Sequence, residues 1–295
     1  MEKINIILDT DISNEIDDQF ALCYVMKSLD RFNVEAITIA PFSKSGYAKA
    51  DTVEEGSDLS FNTAKKILDM LGLQQYKNLL FMGARNYFWE TKQQNDASNK
   101  IIEVCRKNKK TTIIAIGAIT NVALAIEKAP DIIDKIEVVW LGGNSFLSEK
   151  NDEFNFRQDV DAVRVVFESK VKLVVIPCKN VASYLQTTIY EQQHYLKDSG
   201  AIGEYLCDIF KKCKKAYRNN KEDEIGEAKT LWDLSAIAYC INKNWFKETE
   251  VSCPEILEDT SYKQTSNRHK ITFVNFMSRH QIFKDFFVKM GYKYD

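Results

Sequence analysis

Four aspartates fall within ten residues near the start of the sequence, at Asp9, Asp11, Asp17 and Asp18. The apolar run Ile4–Leu8 leads into the first pair, and the second pair opens an amphipathic segment, so all four belong to one strand-to-helix turn. Carboxylates held this close repel one another, and such a cluster persists most easily where a cation neutralises it. Ligation by oxygen alone favours Ca²⁺ or Mg²⁺ over zinc.

Two other interpretations of this turn stay open from the sequence. In the first, Asn14 caps the helix while Asp17 and Asp18 complement the positive end of the helix dipole. That interpretation leaves Asp9 and Asp11 unexplained. In the second, the turn resembles the Asp-x-Asp opening of haloacid-dehalogenase-like phosphatases, which implies Asp9 as a nucleophile with Mg²⁺ nearby. Nothing in that family requires the second Asp pair.

The elements that would position these carboxylates alternate along the chain up to about residue 180. Short apolar runs rich in β-branched residues are separated by segments with apolar residues three or four positions apart. Strands that are apolar throughout and are separated by helices indicate a mainly parallel sheet covered on both faces, so we expect an α/β fold. Beyond residue 180 the pattern is mostly helical, and we expect a helical C-terminal part with one further strand.

The element boundaries follow from these patterns. The predicted strands are Ile4–Leu8, Val34–Ala40, Leu79–Met82, Thr111–Ile116, Ile136–Leu141, Leu173–Ile176 and Ile271–Met277. The predicted helices are Ile16–Leu29, Ser60–Leu71, Ala97–Lys107, Asn121–Lys128, Asp159–Glu168, Ile202–Tyr217, Lys229–Ile241 and Gln281–Met290. The charged stretch Arg218–Glu227 is expected to be a mobile surface loop.

Composition favours a single globular domain over residues 1–295. The 40 Lys and Arg nearly balance the 42 Asp and Glu, and 45% of the residues are hydrophobic. Without a basic excess we expect no nucleic-acid partner, and no apolar run reaches the roughly 18 residues that a membrane span needs. Seven cysteines without a CxxC pair and a start without a signal-peptide pattern predict a cytoplasmic protein.

Four motifs follow one another between Asp9 and Ala236, namely LDTDISNEIDDQFAL, GAITNVALA, GGN with a later EFN, and WDLSA. Together they resemble the inosine/uridine-preferring nucleoside hydrolases. The resemblance implies the Rossmann-like nucleoside hydrolase fold, with Ca²⁺ as cofactor and a homo-dimeric or homo-tetrameric state. It further implies that the substrate is a small-molecule ribonucleoside, whose N-glycosidic bond is hydrolysed to give free base and ribose.

The resemblance also implies a set of metal ligands in this chain. Asp11, Asp18, the main-chain carbonyl of Thr120 and Asp233 would bind Ca²⁺, and Asp9 would support them from the same turn. Each aspartate is a hard oxygen donor of the kind that Ca²⁺ prefers. An aspartate at the head of the apolar segment LSAIAYCI, as Asp233 is, must face water or meet a cation.

The remaining roles implied by the resemblance concern the substrate. Asp17 would be the general base on a metal-bound water. Asn144, Glu153 and Asn155 would hold ribose hydroxyls. Such a site suits N-glycosidic hydrolysis because the transition state carries positive charge on the sugar ring, which a carboxylate-rich floor favours.

The sequence departs from the family pattern in three places. The loop Ile12–Ile16 is longer than usual, and Ala40-Pro41-Phe42-Ser43 stands where a Gly-Asn commonly touches ribose. Trp232 replaces a His that protonates the leaving base, and it would either stack on the base or pack in the core. These departures leave open a non-catalytic relative that binds Ca²⁺ and ribose without turnover, although the retained Asp17 argues against it.

Overall fold

The computed structural model describes residues 2–45, 47–146, 148, 150–217 and 227–293, with only the backbone of 214–217. The loop predicted at 218–227 lies outside these residues, apart from Glu227. The strands are β1 (Ile4–Thr10), β2 (Phe32–Ile39), β3 (Leu80–Phe81), β4 (Thr111–Ala115), β5 (Ile136–Leu141), β6 (Lys172–Ile176), β7 (Gln186–Thr187), β8 (Lys229–Thr230), β9 (Phe246–Ser252), β10 (Glu255–Ile256), β11 (Tyr262–Lys263) and β12 (Lys270–Met277).

Helices connect most of these strands. The α-helices are α1 (Asp17–Met26), α2 (Val53–Met70), α3 (Asp96–Lys107), α4 (Thr120–Lys128), α5 (Phe154–Gln158), α6 (Val160–Glu168), α7 (Ile189–Tyr195), α8 (Gly200–Tyr217), α9 (Leu234–Ile241) and α10 (Arg279–Lys289). Short 3₁₀ turns lie at Gln74–Leu79, Pro130–Lys135, Ala182–Tyr184 and Lys243–Trp245. No helix in the described ranges is long and apolar enough to cross a membrane.

Eight strands form the central sheet in the order β3-β2-β1-β4-β5-β6-β12-β9. Neighbouring strands pair in parallel, except that β9 runs antiparallel to β12 at one edge. The chain builds outward from β1 through β2 to β3 and then crosses back to β4 on the other side of β1. The strand order therefore reverses between β1 and β4, and ligands of such sheets bind beyond the strand ends at this point.

Apolar layers cover both faces of the sheet. Ile6 and Leu8 belong to the layer that also contains α1, α2, α8, α9 and α10, whereas Ile7 belongs to the layer with α3, α4 and α6. Successive strand residues point to opposite faces. The segment Ile6–Leu8 is apolar because both faces of the sheet are buried there. The predicted mainly parallel α/β architecture is confirmed.

Two helix boundaries differ from the prediction. Helix α2 begins at Val53, before the predicted start at Ser60, because Thr52 and Glu55 form a capping box at its N-terminus. The predicted helix Lys229–Ile241 divides into β8 and α9, and α9 begins only at Leu234.

The C-terminal part contains the helices α7, α8, α9 and α10, as predicted, and besides the predicted strand it contains β9, which was not predicted. Strands β9 and β12 extend the sheet, and β9 has the sequence FKETEVS with most of its side chains exposed. Charged residues are typical of edge strands, where they discourage pairing with other chains. Their presence removed the apolar pattern on which the strand prediction depends.

Candidate functional site

A cavity of about 290 Å³ opens at the carboxyl edge of the sheet. Its walls come from the loops after β1, β4, β5 and β6 and from the residues just before α9. The lining residues are Asn14, Glu15, Asp17, Asp18, Ile116, Leu141, Asn144, Asp152, Glu153, Phe154, Asn155, Cys178, Lys179, Trp232 and Asp233. Six of these carry carboxyl groups, so the cavity favours a cation or a ligand that develops positive charge.

Three aspartates from two helices converge on this cavity. Asp17 and Asp18 form the first turn of α1, and Asp233 immediately precedes α9, which packs against α1. One carboxylate oxygen of each lies within 4.8 Å of the others, and each residue is at most 4% exposed. Burial raises the pKa of Asp17 to about 6. Burial and the Asp17 charge raise the pKa of Asp18 to about 7 and that of Asp233 well above its ordinary range.

Asp11, the residue that follows β1, interacts with this cluster. Burial, followed by the charge of Asp18, raises the pKa of the Asp11 carboxyl well above its ordinary range. Gly117 permits the tight packing, because a Cβ there would lie 3.1 Å from the Asp11 carboxyl. Both Asp11 carboxylate oxygens are buried without a hydrogen-bond donor among the described residues. A buried acceptor without a partner is unfavourable, so this all-oxygen set fits a hard divalent cation.

Asp9 lies deeper in the sheet and is held by hydrogen bonds. Its Oδ1 accepts from the Thr38 hydroxyl at 2.6 Å and from the Asn121 amide at 2.9 Å. Burial raises the pKa of Asp9 to about 6. Asp9 is not among the residues that line the cavity. This position suits a supporting role beside Asp11 and disfavours the nucleophile that a phosphatase requires.

The helix starts near the site use different groups from those expected. The N-cap of α1 is Ile16 without a side-chain hydrogen bond, so the interpretation of Asn14 as a cap is wrong. Asn14 instead lines the cavity. Helix α4 begins at Thr120, whose buried hydroxyl donates to Asp159 at 2.6 Å. The assignment of the Thr120 carbonyl to the metal stays a prediction.

Glu153 forms part of the cavity wall. Its carboxylate accepts from the backbone N–H groups of Asn155, Phe156 and Gly143 at 2.9, 3.0 and 2.9 Å, so it caps α5. Gly143 has a φ of +69°, which a glycine adopts without strain. Glu153 and Asn155 therefore stand at a helix start rather than on one side of a strand.

Two asparagines complete this wall. The Asn155 amide nitrogen donates to the carbonyls of Ile116 and Leu141 at 3.1 and 3.0 Å, which leaves its amide oxygen for a ligand. The Asn144 amide nitrogen donates to Asp152 at 3.1 Å, and its oxygen accepts from the Lys179 backbone N–H at 3.3 Å. The predicted contacts of these residues with ribose stay predictions.

Aromatic residues close part of the cavity. Trp232 lines it beside Asp233 and also packs against the hydrophobic core, so both roles considered for it match its position. Phe154 also lines the cavity. Phe42 is fully buried and is not among the lining residues.

Sequence reasoning missed several polar residues that support the site. The Thr10 hydroxyl donates to Asp18 at 2.5 Å, and Lys229 forms an ion pair with Glu15. Asn121 links Asp9 to the backbone of Ala84. One usable signal was the presence of polar residues inside apolar strands, as at Thr10.

The doubly wound sheet, with a carboxylate cluster at its reversal point, defines a class of α/β proteins that bind small molecules at the strand ends. The family model described as inosine-uridine preferring nucleoside hydrolase matches residues 6–281. The chain belongs to this family, as its motifs predict.

Individual relatives agree with this assignment. A "Probable ribonucleoside hydrolase" of Dictyostelium discoideum is 29% identical over 147 residues, which cover 48% of this chain and 43% of that protein. A "Pyrimidine-specific ribonucleoside hydrolase RihB" of Escherichia coli is 28% identical over 145 residues, covering 48% and 44%. The chain thus spans less than half the length of these two relatives. The "Purine-Preferring Ribonucleoside Hydrolase from Gardnerella vaginalis" has the same fold, with a TM-score of 0.78, 19% identity and coverage of 97% and 98%.

Proposed function

We propose that this chain hydrolyses the N-glycosidic bond of ribonucleosides to free base and ribose in a Ca²⁺-dependent reaction. The observation that carries the proposal is the group of buried aspartates Asp17, Asp18 and Asp233 at the cavity, with Asp11 beside them, whose carboxylate oxygens have no donor within the described residues. Membership of the nucleoside hydrolase family and the names of the relatives support the same activity. The location in the cytoplasm and the dimeric or tetrameric state stay predictions.

The chain's own residues supply most of the chemistry in this proposal. Asp11, Asp18, Asp233 and the Thr120 carbonyl would hold the ion, and Asp9 would fix Asp11 through the shared turn. When bound, Ca²⁺ orients the ribose diol and lowers the pKa of the attacking water. Asp17, at the cavity wall, takes the proton from that water as general base.

The other wall orients the sugar. The amide oxygen of Asn155 accepts a hydrogen bond from a ribose hydroxyl. Asn144 and Glu153 hold the loop that faces the sugar through their hydrogen bonds to its backbone. The carboxylates on the floor stabilise positive charge as it grows on the sugar ring during departure of the base. Trp232 has no acidic proton for the leaving base, so we assign it to stacking on that base.

The test is chromatography of a ribonucleoside panel, namely inosine, adenosine, guanosine, uridine and cytidine, after incubation with the purified protein. We expect release of free base that stops when a calcium chelator is added. Named relatives include both purine-preferring and pyrimidine-specific hydrolases, so the panel also determines the base preference. No release from any nucleoside while Ca²⁺ is bound would favour the binding-only relative. Release of phosphate from phosphate esters would favour the phosphatase.

A further inference from the structure

An ion pair, of which the Lys229 partner is buried, joins the two chain segments that carry the aspartate cluster. Glu15 belongs to the loop between Asp11 and Asp17, and it lines the cavity. Lys229 lies in β8, four residues before Asp233. The Lys229 ammonium pairs with the Glu15 carboxylate, and only 9% of the Lys229 side chain is exposed. A charged group this well shielded from water interacts strongly with its neighbours.

The Lys229 charge also reaches Asp17. Burial by itself raises the pKa of Asp17, and the Lys229 charge is the largest influence that opposes this rise. Asp17 acts in the same way on Lys229, where it is the strongest of the charges that raise the lysine's pKa against the effect of burial. Lys229 is thus a cationic neighbour of Asp17, and Glu15 holds its ammonium group in place.

The loop that carries Glu15 is anchored along its length. The Ser13 hydroxyl donates to Thr63 at 2.7 Å, and the Ser45 hydroxyl donates to the carbonyl of Asn14 at 2.6 Å. The ion pair of Glu15 follows these contacts and lies two residues before Asp17. This loop leads directly into α1, so its contacts help to set the direction in which α1 presents Asp17.

We propose that Lys229, held by Glu15, is a positioning residue that fixes the orientation of the Asp17 carboxylate towards the cavity. The inference rests on the proposed function, because it acts through the proposed general base. Catalytic groups must be held within a fraction of an ångström of their productive position, and a displacement of about 1 Å costs on the order of 10²-fold in rate. An ion pair that spans both segments provides such restraint.

The Ca²⁺ affinities of variants that change the charge of the site distinguish this role from a merely structural one. Lys229→Met leaves the Glu15 charge beside the aspartates, so the site becomes more negative and binds Ca²⁺ more tightly. Glu15→Gln leaves the Lys229 charge, so the site binds Ca²⁺ more weakly. The double variant restores neutrality and a Ca²⁺ affinity close to that of the wild type. A loosened fold would instead weaken Ca²⁺ binding in all three variants.

The experiment measures kcat and KM on the best nucleoside of the panel, together with calorimetric Ca²⁺ titration of the chelator-treated protein. For Lys229→Met we expect kcat to fall by about 10- to 100-fold with KM within about threefold, while Ca²⁺ binding tightens. Lys229→Arg keeps the charge and should recover most of kcat. The matched control is Lys289→Met, since Lys289 is also mostly buried and pairs with Asp30 at 3.1 Å. It should behave as the wild type.

Each contrary result has a distinct meaning. An unchanged kcat in Lys229→Met, with an active wild type, overturns this inference and leaves the proposed function intact. Weaker Ca²⁺ binding in both single variants, without recovery in Lys229→Arg, also overturns it because that pattern indicates loss of structure. A wild type that releases no base overturns the proposed function, and the inference falls with it.

Discussion

Buried carboxylates lie at both ends of the central sheet, and their surroundings are opposite. At the amino end, Glu137 of β5 is met by three lysines, with Lys172 at 2.9 Å, Lys243 at 3.4 Å and Lys110 at 3.5 Å. Burial alone would raise the pKa of Glu137, but the hydrogen bond from Lys172 and the charges of the other lysines bring it below its ordinary value. The protein itself compensates this charge.

At the carboxyl end the balance is reversed. Asp11, Asp17, Asp18 and Asp233 face one another, and burial leaves all four with raised pKa values, although the Lys229 charge opposes the rise for Asp17. A protein that can surround Glu137 with lysines has not done so here. Glu137 therefore serves the fold, whereas the aspartate cluster is suited to a positive partner from outside the chain.

The largest expected effect comes from removing a predicted metal ligand. Asp233→Ala deletes one of the converging oxygens, so we expect Ca²⁺ binding and base release to be lost together. Calorimetry and the nucleoside assay measure the two quantities on one preparation. Glu137→Gln at the other end of the sheet is the control and should retain both. Undiminished base release by Asp233→Ala would show that the aspartate cluster is not required for the reaction.

Replacement of Asp17, the proposed general base, should lower the catalytic rate without weakening nucleoside binding. Asp17→Asn keeps the size of the side chain and removes its ability to take a proton. We expect kcat to fall by about 10² to 10⁴-fold, the contribution of a general base, while nucleoside binding changes little. Steady-state kinetics and a binding titration test this pair of expectations. Equal losses in rate and binding would show that Asp17 does more than accept a proton.

A stability measurement sharpens the contrast between the two ends. In the presence of a chelator, Asp11→Asn removes a buried carboxyl whose charge Asp18 repels, so we expect the free energy of unfolding to rise by about 1 kcal/mol. Glu137→Gln removes a compensated charge and should lower it by about the same amount. Denaturant unfolding of both variants provides the test. Changes of the same sign in the free energy of unfolding would show that the carboxylates at the two ends of the sheet are not compensated differently.

The smallest effect is a dependence of stability on pH. The pKa values of about 6 for Asp9 and Asp17 and about 7 for Asp18 lie above the ordinary 3.8. Between about pH 4 and 7 the folded protein keeps protons that the unfolded chain has released, so stability falls as pH rises through this window. We expect Tm in chelator to drop by on the order of a few degrees from pH 5 to pH 7.5.

Calcium should change the direction of that dependence, because ligation requires ionised carboxylates and releases their protons. With excess Ca²⁺ we therefore expect Tm to stay level or to rise over the same pH range. Thermal unfolding in the two buffers makes the comparison. A Tm profile that is identical with chelator and with Ca²⁺ would show that these carboxylates do not bind the ion.

Much of the fold was predictable because the signal is physical. The centre of β1, Ile6–Leu8, is apolar since both faces of the sheet are covered, and Ile136–Leu141 was predicted to the residue. Strand β9 was missed because an edge strand carries charge instead of the apolar pattern. The start of α2 was missed because its first turns are polar and are stabilised by the Thr52 cap, which periodicity does not detect.

The site was predictable only in part, because local sequence patterns do not show contacts between distant segments. Asp17, Asp18 and Asp233 are brought together as the motifs imply, since motif residues carry their spacing with them. The ion pair of Glu15 and Lys229 depends on two segments that are 214 residues apart in sequence, and no local pattern predicts such a contact. Trp232 shows the remaining limit, because its position suits both the cavity and the core.

The most direct test is a calorimetric titration of Ca²⁺ into the chelator-treated wild-type protein. We predict one ion per chain, with binding lost in Asp233→Ala and retained in Glu137→Gln. Absence of binding in the wild type, or equal binding in both variants, would contradict the claim that the aspartate cluster at the carboxyl end of the sheet is a cation site.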